Sequence, residues 1–176
     1  IKMENNMLEL IKTRRSVRSF SDREISRDDL EKIAEAAIYA PSAMNKQTWQ
    51  FTVVTDKSKI KALASAVGNA LCRDNYCMYN PQAIIICSNE KDSRFGVDDC
   101  ACAAENMFLA AHALEIGSVW INQVRDTDNI PEVRKLLTEL QIPENHKVYG
   151  TVALGYSTGD DAIRKTVKNH DRIKWN

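Results

Sequence analysis

Apolar residues recur along this chain in three patterns, and each predicts a different element. Over residues 4–13 they fall three and four apart, placing Met7, Leu8 and Ile11 on one side of a short amphipathic helix. Ser26 stands as an N-cap with Asp29 three positions on, a capping-box variant, ahead of a second helix. That helix is expected to bury Leu30, Ile33, Ala34, Ala37 and Ile38, and Pro41 stops it by disfavouring helical geometry at Ala40. Residues 57–67 and 130–140 predict two more helices, the latter with Pro131 in its first turn. In the second pattern, QAIIIC (82–87) is apolar without alternation, as in a strand covered on both faces. QFTVVT (50–55), SVWINQV (118–124) and KVYGTVALG (147–155) read as further strands. The third pattern is residues 99–116, DCACAAENMFLAAHALEI, apolar nearly all round and rich in small residues. A helix of that kind is buried in the core or packed against another subunit.

Helices and strands interleave, which implies one layered α/β or α+β domain over residues 1–176, with no linker-like segment and no internal repeat. Twenty-four basic residues balance 24 acidic ones, so no global field argues for nucleic acid or an anionic membrane. No apolar run resembles an export signal or a membrane span, and an odd count of five cysteines fits reduced thiols, so a cytoplasmic location is expected. Cys100 and Cys102, two apart on a helix, point to different sides, which favours buried or incidental thiols over a metal site.

Several chemistries lack their motifs: there is no dinucleotide-binding glycine fingerprint, phosphate-binding P-loop or nucleophile elbow. His112 reads as a hydrogen-bonded core histidine, and His146 and His170 as exposed ones. Asp98 and Asp99 are placed to cap the long helix. What remains is TRRSVRSF (13–20), where three arginines crowd five positions. Guanidinium forks suit phosphate oxygens, but an extended chain alternates its side chains, so spacing alone leaves a solvated basic turn and a phosphate site both open. APSAMNKQTWQF (40–51) adds a Pro-Ser turn, polar Asn45 and Gln47, and Trp49 as a core anchor.

Taken together, these stretches resemble the nitroreductase family of FMN-dependent oxidoreductases. Residues 14–20 match its R-x-S-x-[RK]-x-F segment, residues 41–49 its P-S-x-x-N-x-Q-P-W loop, and EIGSVWINQ (115–123) its G-x-G-S-x-W-I-G-G element. ALGY (153–156) resembles its last strand. The resemblance implies an α+β fold: a mixed, mainly antiparallel sheet flanked by helices, dimeric, with the long helix at the interface. It implies that Arg14, Arg15, Ser16 and Arg18 bind the FMN phosphate, ribityl chain and pyrimidine edge. Ser42, Ala43 and Asn45 would reach the flavin of a partner subunit, so the sites are shared across a homodimer. Trp120, Ile121, Asn122 and Gln123 would lie beside the isoalloxazine, Asn69 near the ring, and Arg164 and Lys165 over the phosphate. NAD(P)H would dock transiently, and a small-molecule acceptor such as a nitroaromatic or quinone would follow by a ping-pong mechanism. The alternatives on the same scaffold are a flavin-binding or sensor protein with little turnover, or another flavin chemistry, reductive dehalogenation or an oxygen-dependent reaction. Thr48 in place of a proline, and Asn122-Gln123 in place of Gly-Gly, depart from the family pattern.

Overall fold

A computed structural model describes residues 2–159 and 168–175. Its elements, in chain order, are α1 (Lys2–Thr13), α2 (Arg27–Ile38), β1 (Gln50–Val54), α3 (Lys57–Ala70) and β2 (Ala83–Glu90). They continue with α4 (Gly96–Ala113), β3 (Gly117–Ile121), α5 (Gln123–Thr127), α6 (Pro131–Glu139) and β4 (His146–Gly155). The strands form one antiparallel sheet in the order β1-β2-β4-β3. The two longest strands therefore lie at the centre, and β1 and β3 form its edges.

Alternation along β2 builds two cores. Ile85 and Cys87 face α2 and α4, packing with Ile33, Ala37, Ala103, Met107 and Leu154. Ile84 and Ile86 face α3 and α6, packing with Leu63, Val67, Val133, Leu137 and Ala153. All four β2 side chains are fully buried, which explains a strand without a polar face. Each such aliphatic side chain contributes about 1.5–3 kcal/mol by leaving water. A bulge between Cys87 and Ser88 shifts the β4 register, so Tyr149 joins the first core while Val148 joins the second.

Local signals work as the sequence implies at several places. The Ser26 Oγ accepts from the Asp29 N–H at 3.1 Å, and Pro131 opens α6. Other expectations are corrected. Ile38 is exposed, because α2 turns it away from α4. α4 starts at Gly96 rather than Asp99, and neither acidic residue caps it; Asp99 points instead at a neighbouring loop. The strand after it ends at Ile121, and Gln123 already begins α5. His146 is buried, not exposed, and pairs its Nδ1 with the Ser88 Oγ at 3.1 Å. One stripe of α4 remains uncovered in the single chain, with Val97, Ala101, Cys102 and Glu105 exposed. The apolar side of α1 is likewise open at Met7, Leu8 and Ile11.

Candidate functional site

The arginine stretch leaves α1 as an extended arm along the end of the sheet. Arg15 does not follow the other two arginines: its Nη1 donates to the Lys12 and Arg14 carbonyls, both at 2.7 Å. A cation there satisfies carbonyls that the last turn of α1 leaves unpaired. The Val17 N–H then donates to the Ser118 carbonyl at 3.0 Å, the Thr158 N–H to the Ser19 carbonyl at 3.1 Å, and the Ser21 N–H to the Tyr156 carbonyl at 2.8 Å. Gln82 fixes the far end, its Nε2 donating to the Ser21 carbonyl at 2.7 Å while its Oε1 accepts from Lys57 at 2.6 Å. Two glycines provide the seat. A Cβ on Gly117 would stand 2.8 Å from the Val17 Cβ, and one on Gly155 2.7 Å from the Phe20 ring. With Val17 tucked in, Ser16 and Arg18 share the exposed side of the arm.

Arg14 is the half-buried member. Its guanidinium carbon lies 5.6 Å from the centre of the Phe108 ring, and its Nε lies 4.0 Å from the Glu105 carboxylate. Among the described residues its guanidinium has no hydrogen-bonded partner. His112, one turn further along α4, holds Thr13 at 2.9 Å. Burial, with Arg14 and Arg15 adding to it, lowers the His112 pKa.

Beside the arm runs the outer edge of β3. Ser118 turns its carbonyl outward to Val17, so two residues on Trp120 turns its N–H and C=O to the same open edge. The Trp120 ring rests on Gly150, sits 6.1 Å from the Phe108 ring, and donates from Nε1 to the Asn122 Oδ1 at 3.3 Å. The Ile121 side chain is buried in the second core. Gln123 accepts from the Tyr76 hydroxyl at 3.1 Å, and burial pushes that phenol up to about 12. Asn69 is exposed on the last turn of α3, whose Gly68 packs against Tyr76.

The Pro-Ser loop is built under strain. Met44, Asn45 and Gln47 have φ of 54°, 53° and 50°, the left-handed region that side chains disfavour, at a cost on the order of 1–3 kcal/mol each. Side chains hold it at three points, beside the backbone turn bonds from Asn45 to Ser42 and from Lys46 to Ala43: the Ala43 N–H donates to Asp99 at 2.9 Å, the Gln47 N–H to the Ser42 Oγ at 3.1 Å, and the Gln47 side chain to Asn45 at 2.6 Å. Thr48 donates to Asn89 at 2.7 Å, a tie that a proline would lack.

One chain therefore brings together Arg14, Ser16, Arg18 and the Trp120–Gln123 segment, with Asn69 nearby through Tyr76. It does not bring the loop of Ser42, Ala43 and Asn45 to them. Asp99 holds that loop and His112 holds the arm, and thirteen residues of α4 separate them by about 20 Å. Arg164 and Lys165 lie outside the described residues. Sequence reasoning missed Thr13, Asp99, Glu105, Phe108 and Tyr76. The one available signal was the spacing of Glu105, Phe108 and His112, which marks one face of a helix otherwise made of small residues. Two clefts of about 520 and 570 Å³ lie elsewhere, both bordered by Glu24, Lys57 and Gln82. Among the described residues no cluster of metal-ligating side chains occurs, and no helix is long and apolar enough to cross a membrane.

A profile of the nitroreductase family matches residues 11–156. A protein of Archaeoglobus fulgidus, named provisionally as an NADH dehydrogenase/NAD(P)H nitroreductase, is 42% identical over 96% of this chain and 98% of its own length. An NADPH-flavin oxidoreductase of Vibrio harveyi is 27% identical over 94% of this chain and 72% of its own length. Among solved structures, a nitroreductase of Bacteroides fragilis with bound FMN is 42% identical. It superposes with a TM-score of 0.93 over 97% of this chain and 98% of that one.

Proposed function

This chain belongs to the nitroreductase family, and on that premise we propose that it is an FMN-carrying NAD(P)H oxidoreductase that reduces small conjugated electrophiles. The observation that carries the reading is Arg14: a half-buried guanidinium, backed by an aromatic ring, without a hydrogen-bonded partner among the described residues, beside an open strand edge. That donor set fits a flavin nucleotide. A guanidinium and a serine hydroxyl suit a phosphate, and a free strand edge offers the alternating donors and acceptors that a planar heterocycle edge requires.

In this reading Arg14 and Ser16 hold the phosphate and ribityl chain, and Arg18 meets the pyrimidine edge. Arg15 supports them by capping α1. By resemblance to the family, Arg164 and Lys165, outside the described residues, would add positive charge for the phosphate. The backbone of Trp120–Gln123 lines the ring, with Asn69 beside it, and the Ile121 side chain anchors that segment in the core. Ser42, Ala43 and Asn45 come from a second copy of the chain. Their separation of about 20 Å from the arm along α4 supports this, as do the exposed stripe of α4 and the open face of α1. When bound, FMN would supply the two-electron redox chemistry between NAD(P)H and the acceptor. The chain's own part is to bind and orient: Trp120 is locked by Phe108 and Gly150, and Gln123 by Tyr76.

Nicotinamide and acceptor, a nitroaromatic or quinone, use the same face in turn. Steady-state kinetics with NADPH or NADH and a quinone then give parallel double-reciprocal lines; intersecting lines would refute the shared-face mechanism. Purified protein carries the visible absorption of a flavin and gains thermal stability from added FMN. A colourless protein that FMN does not stabilise would sink the cofactor assignment. Sedimentation of the flavin-loaded protein reads a dimer, and a loaded monomer would exclude the shared site.

A further inference from the structure

Three residues of α4 border the arm, and they fall at 105, 108 and 112, on one helical face. Glu105 stands 4.0 Å from the Arg14 Nε, the Phe108 ring lies 5.6 Å from the guanidinium carbon, and the His112 Nε2 lies 2.9 Å from the Thr13 Oγ1. The first two touch the arginine. The third touches the residue before it.

The direction of the His112 bond follows from its neighbours. The Thr13 hydroxyl lies 2.5 Å from the Glu9 carbonyl, which can only accept, so the hydroxyl hydrogen points there. The Thr13 oxygen is then the acceptor for His112, whose Nε2 carries the proton. Thr13 ends α1, and the Arg14 N–H still donates back to the Leu10 carbonyl at 3.0 Å. The bond from α4 is thus fastened at the point where helix becomes arm.

We propose that His112 is a positioning residue for Arg14: through Thr13 it fixes the backbone from which the guanidinium reaches over Phe108, and so prepares it to receive an anionic oxygen. This rests on the reading above, in which Arg14 grips the flavin phosphate. An arginine that is free to wander loses rotamer freedom when it binds, and that loss weakens affinity; one held beforehand loses less. Phe108 and Glu105 restrict the side chain, and His112 restricts its base. The contribution is directed at the phosphate, since the His112–Thr13 bond acts on the residue before Arg14, whereas Trp120 and Gln123 are held by other partners, Asn122 and Tyr76.

The test compares FMN with riboflavin, which lacks the phosphate, by titrating the full chain and following flavin fluorescence. Thr13→Val keeps the side-chain shape and removes the acceptor, and His112→Leu removes the donor. Each is expected to weaken FMN binding by roughly three- to tenfold, the range of one neutral hydrogen bond, and to leave riboflavin binding unchanged. His112→Gln, which keeps an N–H donor at similar reach, restores FMN binding to near the wild-type value. Unchanged FMN affinity in both disrupting variants would overturn the proposal. So would equal losses for FMN and riboflavin, which would mark a purely structural role. A wild-type chain that does not prefer FMN to riboflavin would instead refute the phosphate assignment of Arg14, an outcome read before any variant is made.

Discussion

Replacing Arg14 by alanine separates what the arginine does for the free chain from what it does for a ligand. Its side chain is 26% exposed, its ion pair with the half-exposed Glu105 spans 4.0 Å, and its ring contact spans 5.6 Å. A loose, partly solvated pair contributes a few tenths of a kcal/mol, and a cation over an aromatic face about 0.5–1 kcal/mol. Truncation therefore costs the flavin-free protein about 1 kcal/mol, or about 2–4 °C in melting temperature at this chain length. A charge-assisted hydrogen bond to phosphate is worth about 1.5–3 kcal/mol, so the FMN Kd rises roughly 10- to 150-fold. Thermal melting of flavin-free protein and fluorescence titration with FMN measure the two effects separately. An FMN Kd that stays at the wild-type value would refute the reasoning. A melting temperature lowered by more than about 10 °C would equally do so, since it would make Arg14 a structural residue.

Gly117→Ala places a methyl 2.8 Å from the Val17 Cβ and 2.9 Å from the Gly155 carbonyl. Overpacking of this kind costs about 1–3 kcal/mol, so both melting temperature and FMN affinity fall; an unperturbed variant would mean that the arm is not seated there. Asp99→Ala strips the Ala43 N–H of its acceptor, and trypsin then cleaves native protein after Lys46 faster than it cleaves wild type. An unchanged cleavage rate would show that the loop holds itself. Burial, reinforced by Arg134 and opposed by Glu90, lowers the His146 pKa below its usual 6.5. The folded state thus favours neutral His146, and stability present above the unfolded value is lost as pH falls through about 6.5 and on through the lower folded value. Melting at pH 8 and pH 5.5 reads the loss, which shrinks in His146→Asn; an equal loss in that variant would assign it elsewhere. Burial also raises the Cys87 thiol well above its usual range and Cys100 to about 12. Both stay unreactive towards a thiol reagent until denaturant is added, and labelling of either in the native protein would contradict the packing.

What the sequence disclosed was local. The Ser26 cap, the proline that opens α6 and the unbroken apolar run of β2 are decided by neighbours within a few positions, and the structure has them where the pattern puts them. Strand order is not local, and neither are the partners that settle His146, Asp99 or Arg15. His146 looks polar among its sequence neighbours, yet it opens the central strand β4 and lies buried against the Ser88 hydroxyl. Arg15 looks equivalent to Arg14, but one position of difference at the end of a helix turns its guanidinium back onto carbonyls. The site was legible as motifs rather than as geometry. Spacing names the arm and the loop, but not that one helix holds both, nor that they sit about 20 Å apart along it.

The bridge between Val17 and Ser118 has a consequence for solubility. β3 is an edge strand whose Val119 and Ile121 side chains are buried, and a bare edge of that kind recruits strands from other molecules. By lying along its first residues, the arm denies neighbouring chains a place to start pairing. The segment that carries Arg14 therefore also keeps the sheet from growing outward, and a chain that lacks residues 14–20 would form aggregates.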